Sequence, residues 1–125
     1  MALDPRGDLI ELFRAVVDVE SVSGDEAELA DQVQAALTGH GHLEVLRDGD
    51  TVIARTHLSR PQRVVIAGHL DTVPLAGNLP SWVEGERIYG RGTCDMKGGI
   101  AVMLAVAVAA GDPVHDLTWI FYDHE

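Results

Sequence analysis

Arg63 to Ala67 reads RVVIA, an apolar run that is continuous rather than alternating. Alternation marks a strand with one wet face, whereas an unbroken run predicts a strand covered on both faces by helices. DLTWIFYD at 116–123 has the same character and predicts a further buried strand. Helical patterns stand around these two runs. Leu9, Ile10, Leu12, Phe13, Val16 and Val17 recur at helical spacing and predict an amphipathic helix over 7–19. SGDE then offers Ser23 as an N-cap with Glu26 three residues on, a capping-box pattern, and Gly39 or Gly41 closes that second helix. Short strands are expected over 43–47 and 51–55 with DGD as the hairpin turn between them. An Ala/Val-rich helix should run over 97–110 and stop at Gly111, with Pro113 beyond. This order of helices and strands predicts an α/β fold, in which ligands sit at the carboxyl ends of the strands.

Chemistry collects at those ends. GHLDTVP, 68–74, follows the first apolar run, and side chains at i and i+2 of a strand share a face. His69 and Asp71 therefore look into one space, an arrangement that suits a metal-bound imidazole and the carboxylate that holds it. Taken alone, such a pair is more often an ordinary surface hydrogen bond. The second stretch is YGRGTCDMKGG, 89–99, where glycine gathers just ahead of a helix. A phosphate-binding loop would need G-x-x-x-x-G-K-[ST] or G-x-G-x-x-G, and neither spacing is present. Asp95 is better read as a carboxylate directed at a metal, a role compatible with capping the following helix at about 1 kcal/mol. Cys94 near His69 and Asp71 raises a cysteine hydrolase as a rival; nothing else in the chain supports it, and a small residue packed beside the site is the reading adopted. His124-Glu125 could open an H-E-x-x-H metal motif, but that motif lies on a helix and here a strand leads into it. Lys97 reads as a helix-start residue.

Composition narrows the partners. A chain of 125 residues, 46% hydrophobic, fits one globular domain, and a formal charge of −11 argues against nucleic acid or an anionic membrane surface. One cysteine excludes an intramolecular disulfide framework. The start MALDPRGDLIELF lacks a signal-peptide pattern, and the apolar segment 100–110 falls well short of the ~20 residues a membrane helix needs. A cytoplasmic chain is expected.

GHLDTVP, IYGRGTCDMKGG and FYDHE, in this order, resemble the three N-terminal motifs of the M20 metallopeptidases, a family that includes amino-acid deacylases and carboxypeptidases. The resemblance covers essentially the whole chain and is strongest to the actinobacterial desuccinylase type. It implies the helix-flanked mixed sheet of the zinc-peptidase catalytic domain, with His69 ligating one zinc and Asp95 bridging two. Asp71 would orient His69, the peptide after Asp95 would be cis, and Glu125 would be the general base. The implied cofactor is two Zn2+, with Co2+ able to take one site. The implied reaction is removal of succinate from N-succinyl-LL-2,6-diaminopimelate. Acetylornithine deacetylation, or another amino-acid deacylase or carboxypeptidase activity, shares every residue named. The family pattern also has a second glutamate after Glu125, later ligands, and a second domain for dimerisation and substrate grip. On that pattern residues 1–125 are expected to be the N-terminal part of the catalytic domain, incomplete at the C-terminus and inactive alone, with the intact enzyme a homodimer. A non-catalytic relic or binding module is the reading from a different class. If 117–122 is an inner strand whose neighbours come later, it would expose an unpaired apolar edge.

Overall fold

The computed structural model describes residues 2–125. Helix α1 spans Leu9–Asp18 and α2 spans Ala27–Leu37. Strands β1, Glu44–Asp48, and β2, Thr51–Arg55, form the expected hairpin, with Gly49 at φ 60° in the turn. β3 is Arg63–His69, and a small hairpin of β4, Trp82–Glu84, and β5, Arg87–Tyr89, follows it. An irregular turn at Thr93–Lys97 leads into α3, Gly98–Ala109, and β6 is Asp116–Tyr122. The main sheet has the order β1-β2-β6-β3, antiparallel except where β3 runs parallel to β6. The α/β expectation and the mixed sheet both hold. No helix among the described residues is long and apolar enough to cross a membrane.

Register explains where the core lies. Val52 stands opposite Phe121 and Ala54 opposite Trp119, while Ile66 and Gly68 of β3 stand opposite the same two aromatics. That face meets α2 and α3, and Trp119, Phe121, Leu29, Leu37, Ile100 and Leu104 are fully buried in it. Each such large side chain contributes about 1.5–3 kcal/mol of burial. α1 packs on α3 and buries Leu12, Val16 and Val17. Its N-terminus is closed by Asp8, whose Oδ1 accepts from Ile10 N at 2.9 Å and Glu11 N at 3.0 Å.

Three expectations need correction. β3 is not covered on both faces: it is an edge strand, with Val65 57% and Val64 42% exposed, and on the second face Ile53, Ile120 and Tyr122 are only half-buried. Its unbroken apolar pattern reflects a core on one side only. β6 is inner, but its neighbours β2 and β3 precede it in the chain, and of the two edge strands, β1 and β3, the apolar one is β3. Ser23 does not cap α2. Val22 bridges to Thr72 and Ser23 N donates to Thr72 O at 2.9 Å, which draws the loop away from the helix; Glu26 takes the cap position with no side-chain cap bond.

Asp116 locks the connection between β2 and β3. Buried at the start of β6, it accepts from Thr56 Oγ1 at 2.7 Å, Leu58 N at 2.7 Å and Arg60 N at 2.9 Å, with Arg63 3.8 Å away. The Thr56 bond first, then the two backbone donors and the Arg63 charge, hold its carboxyl down at about 2 against burial, from an ordinary value of 3.8. A depressed carboxylate pKa stabilises the fold above the unfolded value and is lost as pH falls through the folded one. Denaturant midpoints measured across acid pH should therefore fall from near pH 3.8 towards pH 2. Asp116→Asn should be less stable at neutral pH and should lose that component of the acid transition.

Candidate metal centre

Parallel pairing of β3 with β6 brings their carboxyl ends side by side. His69, the last residue of β3, pairs with Tyr122, the last of β6, and Leu70 N donates to Tyr122 O at 2.8 Å. Asp71 follows one end and Glu125 the other. Gly68, just before His69, faces α3 so closely that a Cβ there would sit 2.7 Å from the Met96 methyl and 2.9 Å from Met103 Sδ. Glycine lets the turn carrying Asp95 close against the strand.

The imidazole of His69 is the centre of the arrangement. Its Nδ1 lies 3.1 Å from Asp71 Oδ1 and 3.0 Å from the Asp71 carbonyl oxygen. With Nδ1–H donated there, Nε2 points the other way, 2.9 Å from Asp95 Oδ1 and 3.1 Å from Glu125 Oε2. Burial opposes charge on this ring, but the Asp95 bond, the Asp71 carbonyl and the charges of Glu125 and Asp71 outweigh it and raise the His69 pKa above 6.5. The His69 side chain is 6% exposed, against 77% for Asp95 and 62% for Glu125. One donor is fixed by the fold and two carboxylates are free to adjust around it.

Asp95 reaches this position from an irregular backbone. The Asp95-Met96 peptide is cis, as the resemblance implied, and both residues have non-helical angles. Gly92, at φ 85°, begins the turn; a Cβ there would meet Thr72 Cγ2 at 2.9 Å. Lys97 N closes the turn on Gly92 O at 2.8 Å. Lys97 does stand at the start of α3, as expected, with its side chain turned into the interior. It is 1% exposed and Nζ donates to Val17 O at 3.4 Å and Val19 O at 2.5 Å, carbonyls left over at the end of α1. Burial pushes its pKa down to about 8, opposed by Asp18 and Glu20. Cys94, expected to pack beside the site, is exposed instead.

All four residues singled out from the sequence thus meet. Asp71 does more than orient His69: its Oδ1 also accepts from Glu125 N at 3.1 Å, so one carboxylate oxygen holds both the imidazole and the backbone of the third motif. The supporting residues Ser21, whose Oγ donates to Leu70 O at 2.7 Å, and Lys97 were not picked out as site residues. Ser21 carried no signal, since a lone loop serine looks like any other. Lys97 lies in the glycine-rich stretch, and its direction into the interior depends on the backbone turn.

His69, Asp95 and Glu125 each place one ligand atom within 4.8 Å of the others, the one such grouping of three among the described residues. An imidazole nitrogen and two carboxylate oxygens converging at this range fit a divalent cation of the zinc class, and the Nδ1 bond to Asp71 is the outer support such a ligand uses.

Comparison with known proteins agrees with this geometry. A family model described as Peptidase family M20/M25/M40 matches residues 65–125. A Mycobacterium tuberculosis protein named as a succinyl-diaminopimelate desuccinylase is 52% identical over 124 residues, covering 98% of this chain and 35% of its own length. A succinyl-diaminopimelate desuccinylase of Corynebacterium glutamicum is 45% identical over 128 residues, with the same two coverages of 98% and 35%. The chain therefore spans about a third of the length of these curated relatives. Among solved structures, an M20 family metallo-carboxypeptidase from Sulfolobus solfataricus superposes with a TM-score of 0.81 at 16% identity, over 93% of this chain and 30% of that one. An aminopeptidase of Bacillus cereus gives a TM-score of 0.73 at 23% identity, over 90% and 35%. At such identities the likeness is one of fold. The three motifs, the family match and the two closely similar relatives agree: residues 65–125 of this chain belong to the M20/M25/M40 peptidase family.

Proposed function

We propose that residues 1–125 form the metal-binding part of an amide hydrolase that removes succinate from N-succinyl-LL-2,6-diaminopimelate, with the remainder of a longer protein supplying the other ligands, the substrate grip and the dimer contact. The observation that carries the substrate is the 52% and 45% identity to relatives named for that activity. The convergence of His69, Asp95 and Glu125 supports the chemistry. His69 and Asp95 would hold the metal, read as two Zn2+ with Co2+ able to replace one. A divalent ion bound there polarises an amide carbonyl and acidifies a bound water.

The chain's own residues have separable tasks. Asp71 takes Nδ1–H, which keeps the lone pair of Nε2 pointing into the site. Glu125 is the general base: it accepts a proton from water and delivers it to the leaving nitrogen, so that water is divided between the succinate carboxyl and the released amine. The exposure of its side chain leaves it free to reach both positions.

Metal binding and proton binding compete at Nε2, and this fixes the sign of the pH dependence. With no metal, the raised His69 pKa adds stability that is full below 6.5 and is lost as pH rises through the folded value. Added Zn2+ should act oppositely, giving its largest rise in thermal midpoint at high pH, and scans between about pH 5 and about pH 8 will show whether it does. At a free metal concentration 100 times Kd the gain should be about 2.7 kcal/mol. Asp71→Asn should weaken metal binding roughly 10–100-fold in a chelator competition. An unchanged affinity would remove Asp71 from the site.

Activity is tested by supplying Zn2+ and either N-succinyl-LL-2,6-diaminopimelate or N-acetylornithine to the product of the complete reading frame and, in parallel, to residues 1–125 alone. Succinate release by the former, with no turnover of the acetyl compound, is expected. Residues 1–125 alone should be inert, and turnover by them would mean that His69, Asp95 and Glu125 form a sufficient site.

A further inference from the structure

Glu26 is an unusual residue to find in the interior. Its side chain is 1% exposed, and no aligned donor reaches its Oε2, although a buried carboxylate without a partner is costly. What that oxygen does face is His124, whose Nδ1 lies 3.0 Å away, off the line of a full hydrogen bond. Ser23 Oγ is 3.4 Å from the same nitrogen. The imidazole is more than half exposed, so it can turn by a small angle to align with the carboxylate beneath it.

We infer that Glu26 is a positioning residue for Glu125, acting through His124. The loop from Ser21 to Glu26 is fastened along the continuation of β3: Thr72 N donates to Ser21 O and Ser23 N to Thr72 O, both at 2.9 Å. That places Glu26 under the segment that follows β6. His124 has Glu26 beneath it and Ser23 at its side, while the next residue, Glu125, is held at its amide by Asp71 Oδ1. Two anchors on successive residues leave the Glu125 side chain as the moving part and fix its base beside His69. A carboxylate used only for stability would be fully bonded; one kept buried with a single imidazole to meet suits positioning better than packing.

The inference rests on the reading of Glu125 as the proton-transfer carboxylate, and its test needs neither metal nor substrate. The measurement is the backbone 15N order parameter of Glu125 and of the β6 amides in the metal-free product of the complete reading frame. In the unaltered protein Glu125 should lie near the rigid value of about 0.85. Glu26→Met, similar in length but with no acceptor, should drop it below about 0.6 while the β6 amides keep their values. Glu26→Gln, which retains an acceptor oxygen, should restore most of the order, and His124→Ala should reproduce the Met result from the exposed side. If Glu26→Met does not fold, the Gln and His124→Ala variants decide the matter in the same way. An unchanged Glu125, or a loosening spread equally through β6, would overturn the assignment. A chain that binds no divalent ion would sink the metal reading and leave this comparison intact.

Discussion

The parallel pairing of β3 with β6 is the contact on which the site depends. Antiparallel neighbours would have placed the end of one strand beside the start of the other. Parallel pairing instead sets His69 level with Tyr122 and starts two loops from one edge of the sheet. The loop after β3 brings Asp71 and the loop after β6 brings Glu125, and the intervening helix α3 begins close enough to add Asp95. A parallel pair requires a crossover, and here the crossover carries the Asp95 carboxylate to the same end of the sheet.

Around that pairing the supporting contacts divide into two kinds. Some are backbone bonds that tie loops together, such as the Thr72 bonds to Ser21 and Ser23. Others use a charged side chain as an internal strut, as Lys97 does beneath the end of α1, Asp116 at the start of β6 and Asp71 between two motifs. Burying charge is expensive unless donors and acceptors match, and Lys97 and Asp116 meet groups the backbone had left over. An acidic chain thus uses several of its few basic and many acidic groups to set loop geometry.

Much of this was legible in the sequence because it is written in local patterns. Helix periods, the Asp48-Gly49 turn and the i, i+2 placement of His69 and Asp71 each depend on neighbours in the chain. The four residues chosen for the site do meet. Errors arose where a tertiary contact overrode a local rule. Ser23 and Glu26 form a good capping box on paper, yet pairing with Thr72 pulled one away and His124 met the other. The apolar run of β3 looked doubly covered because a continuous pattern does not say how many of its faces are met by the same chain. Lys97 could not be read as buried, since a lysine is almost never so and only the turn at Asp95 directs it inward.

The distances along the chain between groups that meet at the site bear on how the molecule is made. His69 meets Asp95 across 26 residues, Asp71 meets Glu125 across 54, and Ser23 meets His124 across 101. The entropic penalty of closing a loop grows with its length, so the shortest of these contacts forms at the lowest penalty and the longest at the highest. As the chain leaves the ribosome, the α1–α2 loop exists for the synthesis of nearly a hundred further residues before its partner arrives. Contacts that reach His124 and Glu125 therefore wait for β6, by which point the helices and β3 have already been made.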